Sequence, residues 1–351
     1  MALSSLKLHH FRNFKKAAFS FSPTVTVIVG QNASGKTNIL EAINYLATAH
    51  SFKTRIDREV IAFGETAADI LGQTSDATLS VIISSSSPTK KAYQINKVPK
   101  LAHGFMGYLK TVVFRPEDID LLTDGPSLRR DFLDSILGQT NKDYARAHTV
   151  YHKVLAQRNR ILSNKEKSLG AKLAELEFWN QELLKAGQFL QKERAELIKE
   201  LNNGLPQVIS TLFSSSSSFP LSLLYQPNII NRERLASHQE AELAAGLTLI
   251  GPQRDDFEVL QDKKSLAAYG SRGQERTAIL ALKIAELEHI TKVAGEKPLL
   301  LLDDIFSELD EAHRLAVFNI VSNQQTILTA TEIPKEIKNH PLVEKIEVIR
   351  L

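Results

Sequence analysis

Gly30-Gln31-Asn32-Ala33-Ser34-Gly35-Lys36-Thr37 has the spacing G-x-x-x-x-G-K-[ST]. Residues of these types at these intervals hold a polyphosphate. The glycines let backbone amides wrap the phosphate oxygens, and the helix that follows aims its N-terminal dipole at the anion. Lys36 places a point charge between the β- and γ-phosphates, and the Thr37 hydroxyl is able to ligate magnesium. The β-branched run Val25–Val29 before the loop and the helical spacing of Thr37–Ala47 after it supply the expected context. ATP and Mg2+ are therefore the expected ligands, with Lys36 also serving catalysis.

Leu299–Leu302 followed by Asp303 and Asp304 reads as a strand buried on both faces that ends in two acids. Alone, such a run is equally a core strand capped by surface acids. Beside a phosphate loop it predicts Asp303 as the second magnesium anchor and Asp304 as the group that polarises the attacking water. Ser271-Arg272-Gly273-Gln274 opens a helix upstream of the acid strand, and Ser307-Glu308-Leu309-Asp310 follows it. The first of these is an ordinary helix N-cap by type. In this order it is also the signature of an ABC-type ATPase, in which Ser271, Gly273 and Gln274 meet the nucleotide held by a second copy.

These groups need a scaffold, and the chain shows one. Short β-prone runs at Leu6–Leu8, Ala18–Phe21 and Val25–Val29 precede the loop. Alternation in Thr78–Ile83 and Lys91–Ile95, around the serine turn Ser84–Ser87, predicts a small antiparallel sheet. From Ser127 to Phe213 the pattern is helical, with gaps at Ser163–Gly170 and Asn202–Pro206. Two antiparallel arms of roughly 25 and 30 residues fit it. The run Ser214–Ser218 reads as a linker. A final α/β section predicts helices at Gln274–Lys292 and Glu311–Val321 and strands at Leu299–Leu302 and Thr326–Ala330. The expected fold class is α/β. It comprises a P-loop ABC-type ATPase head of mixed sheets with flanking helices (1–115 and 245–351) and an inserted, mainly helical lobe (116–244).

The 351 residues suffice for one large domain or two. No stretch approaches the roughly 18 uninterrupted apolar residues of a membrane span, and the N-terminus has no secretory pattern. The absence of cysteine fits a reducing cytoplasm and excludes disulfides and thiolate zinc sites. A net charge of +3 permits a polyanionic partner without arguing for one.

Long blocks carry a closer likeness. LHHFRNFKKAAFSFSPTVTVIVGQNASGKTNILEAINYLA, HSFKTRIDREVIAFG, VVFRPEDIDLLTDGPSLRRDFLD, GPQRDDF, YGSRGQERTAILALKIAE and LLLLDDIFSELD together resemble the RecF family of bacterial recombination and gap-repair ATPases. The resemblance implies a head like those of chromosome-maintenance ATPases and ATP-dependent homodimerisation on double-stranded and gapped DNA. It also implies slow hydrolysis that releases the DNA, and work with RecO and RecR in loading RecA. Some positions depart from the wider ABC pattern. Asp304 stands where glutamate is common, which suits a slow switch. No histidine follows Thr326–Ala330, Phe114-Arg115-Pro116 lacks a glutamine, and Gln253 replaces the histidine of a GPHRDD motif. A transport ATPase subunit is the alternative, opposed by the missing histidine and the long helical insert. A chromosome-organising head would need coiled-coil arms of hundreds of residues, for which this chain has no room.

For DNA, Lys142, Arg146, Lys153, Arg158, Arg160, Lys165, Lys167 and Lys172 face only Asp143 and Glu166 across one helical arm. Arg158, Arg160 and Lys165 are its expected phosphate contacts, although a solvated helix face has the same composition. Lys53 and Arg55, with Arg58, form a second candidate behind the phosphate-loop helix. Arg254 is expected to pair with Asp255, Asp256 or a neighbour.

Overall fold

Strands β1 (Leu3–Phe11), β2 (Phe14–Ser20) and β3 (Val25–Val29) open the chain and lead into helix α1 (Lys36–Thr48). Next come β4 (Ala67–Thr74), β5 (Thr78–Ser84), β6 (Lys90–Ile95), β7 (Val98–Lys100), the single turn α2 (Ala102–Phe105) and β8 (Thr111–Phe114). A helix-rich stretch follows, with α3 (Asp120–Thr123), α4 (Pro126–Thr140), α5 (Lys142–Ser163), α6 (Leu169–Leu212), β9 (Leu221–Gln226) and α7 (Arg232–Ala245). It continues through β10 (Asp256–Gln261), β11 (Lys264–Ser265), α8 (Leu266–Tyr269) and α9 (Arg272–Ala294). The last elements are β12 (Leu299–Asp303), α10 (Glu311–Val321), β13 (Thr326–Ala330) and β14 (Ile346–Arg350). This computed structural model describes residues 2–212, 219–307, 309–321, 323–333 and 346–351. The serine linker 214–218 and Glu308 lie outside the described residues.

The chain divides into two compact units, Met1–Ile119 with Ile279–Leu351, and Asp120–Ala278. In the first, a five-stranded sheet runs β14-β3-β13-β12-β8 with every pairing parallel. Its strands β3, β12 and β13 are buried at every position, as leucine-rich and β-branched runs covered on both faces should be. A six-stranded antiparallel sheet, β2-β1-β4-β5-β6-β7, accompanies it. Helix α1 contributes Ile39, Ile43 and Leu46 to one core shared with Leu6 and Val81 of the antiparallel sheet and Leu301 and Ile327 of the parallel one. Gln325 braces the two sheets, since its amide accepts from the Leu3 N–H at 2.8 Å and donates to Leu3 O at 2.7 Å. The register aligns Val29 with Ala330 and Asp303 with Thr329, so the carboxyl ends of β3, β13 and β12 lie side by side. That edge is where open α/β sheets place their ligands.

The second unit packs α4, α5 and α6 with a small sheet ordered β11-β10-β9. The expected break at Asn202–Pro206 is absent, because α6 continues unbroken for 44 residues. Asn202 spends its amide on the β9 backbone, donating to Leu223 O at 2.9 Å and accepting from Leu223 N at 2.7 Å. The buried Leu205, Val208 and Ile209 outweigh the one backbone bond that Pro206 removes. Segment 245–278, assigned to the head from sequence, groups with this unit because β10 pairs antiparallel with β9 and packs on α4. Its interior holds a charge network in which Arg194 contacts Asp134 at 2.8 Å and Asp255 at 2.9 Å. Burial pushes the Asp134 carboxyl up, but Arg194 and His148 outweigh it and hold the group well below the usual carboxylate range.

Candidate nucleotide site and signature helix

The loop after β3 is shaped by its own backbone. Gly35 sits at φ 106°, and a Cβ there would meet the Asn13 amide at 2.6 Å, so both conformation and space require glycine. Asn13 donates to Ser34 O at 3.2 Å and fastens the loop to the end of β1. Lys36 is only 7% exposed, and its ammonium donates to Gly30 O at 2.7 Å and Gln31 O at 2.9 Å. It is thereby held at the mouth of the cradle formed by residues 30–37. The Ser34 Oγ is buried and has no hydrogen-bond partner among the described residues. A buried hydroxyl without a partner costs stability, and a phosphate oxygen satisfies it. The residues present fit a nucleotide.

The acid strand delivers its carboxylate to the same place. Thr37 Oγ1 donates to Asp303 Oδ1 at 3.0 Å, and Thr329 Oγ1 donates to the same oxygen at 2.7 Å. Thr37 and Asp303 are the hard oxygen pair that suits Mg2+. Thr329 was not singled out from sequence; a threonine at the carboxyl end of a wholly buried strand was its only signal. Asp304 adopts the left-handed conformation at φ 47°, fixed by its N–H donating to Thr329 Oγ1 at 3.0 Å. On helix α9, burial raises the Glu286 carboxyl above the usual range even though the Lys283 ammonium touches it.

Ser271 caps α9 as one half of a capping box. Its N–H donates to Gln274 Oε1 at 2.8 Å, and its Oγ accepts from the Gln274 N–H at 3.3 Å. Gly273 has open space where a Cβ would stand. Ser307 donates to Asp304 O at 2.7 Å, and Asp310 accepts from the His313 N–H at 2.9 Å at the start of α10.

The family model for the RecF/RecN/SMC N-terminal domain matches residues 2–334. Proteins named DNA replication and repair protein RecF from Agathobacter rectalis and Lachnoclostridium phytofermentans are 36% and 35% identical to this chain. Each comparison covers 99% of this chain, with 96% and 97% of the respective relative. The chain belongs to the RecF family. A solved structure of the recombination mediator protein RecF-ATPrS in the RecFOR pathway matches with a TM-score of 0.83 and 28% identity. It covers 99% of this chain and 95% of that one. The corresponding RecF-ATP structure gives 0.82 and 30%, covering 95% and 93%. A SmcHead bound to the C-winged helix domain of ScpA, at 0.51 and 17%, shares the fold. The fold is the expected mixed α/β ABC-type ATPase head, and RecF membership sets the transport-subunit alternative aside.

The basic arm needs one correction. At about 100° of rotation per residue, Lys142, Arg146, Lys153 and Arg160 fall within an arc of about 40° along α5, while Arg158 lies about 140° from the centre of that arc. Those four side chains are exposed and have no partner among the described residues. Arg158 is only 2% exposed, donating to Asn180 at 2.8 Å and Thr248 at 2.8 Å and ion-paired with the fully buried Glu242 at 2.5 Å. It is removed from the DNA set. Lys165 is exposed beyond the end of α5. Lys53 and Arg55 are exposed too, but Lys53 donates to Asn38 Oδ1 at 3.0 Å, next to the phosphate loop. Arg254 does not pair as expected. Asp255 is taken by Arg194 and Asp256 by Arg129, which leaves the exposed Arg254 without a partner among the described residues. Gln253 instead accepts from the Tyr151 hydroxyl.

Arg158→Ala strands the Glu242 carboxylate in the interior. It is expected to lower stability by about 3–5 kcal/mol, read as an earlier urea midpoint. Under native conditions, the salt dependence of DNA affinity should not change. A shallower salt slope in this variant would return Arg158 to the DNA-contacting set.

Proposed function

We propose that this protein is an ATP-dependent DNA-binding protein of recombinational repair and replication-gap processing, and a weak, DNA-stimulated ATPase that acts as a switch. The observation that supports this reading is the 3.0 Å bond between Thr37 and Asp303, which brings together two motifs 266 residues apart. The amides of residues 30–37 and the Lys36 ammonium bind the triphosphate, while Thr37 and Asp303 hold Mg2+. Bound there, Mg2+ supplies neutralisation of charge on the β- and γ-phosphates. Asp304 orients and deprotonates the attacking water. Ser271, Gly273 and Gln274 of a second copy complete the site, so two copies close on DNA while the triphosphate lasts and part after hydrolysis. RecR and RecO are the proposed protein partners, in keeping with the RecFOR pathway named for the matched RecF structures. Binding to duplex and gapped DNA and the loading of RecA are part of the same proposal and rest on the family resemblance. The cytoplasm is the corresponding compartment. Among the described residues no helix is long and apolar enough to cross a membrane.

Sedimentation with and without ATP, repeated with gapped DNA, tests the switch. The expected result is a monomer that becomes a dimer only with ATP and sediments with the DNA. A chain that stays monomeric in ATP and DNA together refutes it. For the DNA face we propose the α5 stripe, whose cations extend over about 27 Å. Neutralising Arg146, Lys153 and Arg160 to Gln should weaken binding to all duplexes alike. The log–log salt slope should become shallower by at most about 2.7 for three lost phosphate contacts. An unchanged slope moves the DNA site to Lys53 and Arg55.

A further inference from the structure

In the second unit, helix α5 carries His148 and His152, two imidazoles at i and i+4 and so on one face. Their Nε2 atoms lie 3.1 Å apart and their ring centroids 4.4 Å apart. The Tyr144 ring stacks against His148, and the Tyr151 ring meets His152 edge-on. Counting 100° per residue, the pair lies about 120° round α5 from the centre of the Lys142, Arg146, Lys153 and Arg160 stripe. It belongs neither to that stripe nor to the nucleotide motifs. Asp134 of α4 stands 3.2 Å from His148 Nε2, but its carboxylate is committed, accepting from Arg194 at 2.8 and 3.0 Å and from the Tyr144 hydroxyl.

We infer that His148 and His152 together bind one divalent transition-metal ion of the kind that prefers imidazole, such as Zn2+, Ni2+ or Cu2+. One proton between the two Nε2 atoms satisfies them, and so does one metal ion. Bonds of about 2.0–2.1 Å from such an ion to imidazole nitrogen hold neighbouring ligand atoms about 3.0 Å apart in an octahedral shell and about 3.4 Å apart in a tetrahedral one. The observed 3.1 Å lies between these values, so neither ring has to turn far. Helical histidines at this same spacing hold zinc in H-E-x-x-H motifs. Desolvation of the ring, with His148, Arg194 and Arg130 acting against Asp134, pushes His152 down to about 4. Near neutral pH that imidazole is uncharged, the form that coordinates a metal. Among the described residues no group of three His, Asp or Glu is placed to hold a metal ion. The pair therefore supplies two ligands and water the rest. Asp134 favours the added positive charge, while Arg194 and Arg130 oppose it, and the site is accordingly one of modest affinity that fills and empties with the supply of free metal.

The test is calorimetric titration of the full chain, without nucleotide and near neutral pH, with zinc chloride and nickel chloride. The wild type should take up both ions, and excess Mg2+, which demands oxygen ligands, should not displace them. His152→Ala should weaken Zn2+ binding at least about tenfold, since loss of even a supporting partner of a metal ligand costs about 10–100-fold. His152 is exposed, so this substitution leaves the fold and the Asp134–Arg194 pair intact. His148→Ala should weaken Zn2+ to a similar degree. Replacing the stacked pair on β1, His9→Gln with His10→Asn, should leave Zn2+ binding as in the wild type. With Cu2+ as the probe, electron paramagnetic resonance should show two nitrogen ligands in the wild type and one in His152→Ala. A wild type that takes up neither Zn2+ nor Ni2+ overturns the assignment. So does a His152→Ala chain that binds Zn2+ as tightly as the wild type, or a loss of Zn2+ that appears only in the His9 and His10 variant.

Discussion

Lys36→Ala is expected to abolish ATP-driven dimerisation. The Lys36 ammonium is the fixed positive charge of the cradle, held by Gly30 O and Gln31 O at the end of β3. Charge-assisted hydrogen bonds contribute about 1.5–3 kcal/mol each. Loss of two such bonds to phosphate oxygens amounts to at least a hundredfold in affinity, about 2.7 kcal/mol or more. Calorimetric titration with ATP and sedimentation in its presence read the two consequences separately. A variant that binds ATP as the wild type does and still dimerises would remove the phosphate-loop assignment. The fold should survive, because the core of α1 is built from Ile39, Ile43 and Leu46 and not from the lysine.

Asp304→Asn should bind ATP and dimerise, yet hydrolyse about 10²–10⁴-fold more slowly, the range that general-base catalysis contributes. Dimers should then accumulate. Asparagine suits the position because, like aspartate, it tolerates the left-handed backbone found at φ 47°, which alanine would strain. Ser271→Arg should bind ATP as a monomer and fail to dimerise. It also removes a capping box, a loss of about 1 kcal/mol, so circular dichroism must show the helix content retained. Mixing Lys36→Ala with Ser271→Arg chains leaves one composite site with both halves intact. Partial recovery of dimer in the mixture is the expected outcome. No recovery from two well-folded variants would defeat the shared-site arrangement.

What sequence disclosed about this site was what lies within short segments. Residues 30–37, Asp303 and Asp304 carry their chemistry in contiguous motifs, and β3, α10 and β13 had the residue patterns of the elements they form. Features that depend on distant partners were hidden. Thr329 points a hydroxyl at Asp303, and Gln325 braces Leu3, but nothing in the local pattern names either partner. Strand β4 (AADILGQT) has few β-formers, and apart from Ile70 its buried face uses the small residues Ala68, Gly72 and Thr74, which raise no alternation signal. The break expected at Asn202–Pro206 followed local propensity, which the Asn202 contacts with β9 override. Arg158 is a different case. Its burial was legible, because counting 100° per residue along α5 turns it away from the basic stripe, whereas counting charges within a window does not.

The parallel sheet also has a history in time. Among the described residues, strand β3, which feeds the phosphate loop, pairs only with β13 and β14, and β8 pairs only with β12. No two strands from the first third of the chain are neighbours in it. During synthesis the apolar run Val25–Val29 must therefore wait, unpaired, while the contiguous helical unit Asp120–Ala278 emerges and folds. Only the last strands close the sheet, a high-contact-order step that is slow and exposes a sticky edge in the interval. Nascent chains halted before β12 should accordingly hold a folded helical unit and no nucleotide site, and demand for chaperones should concentrate in the N-terminal segment.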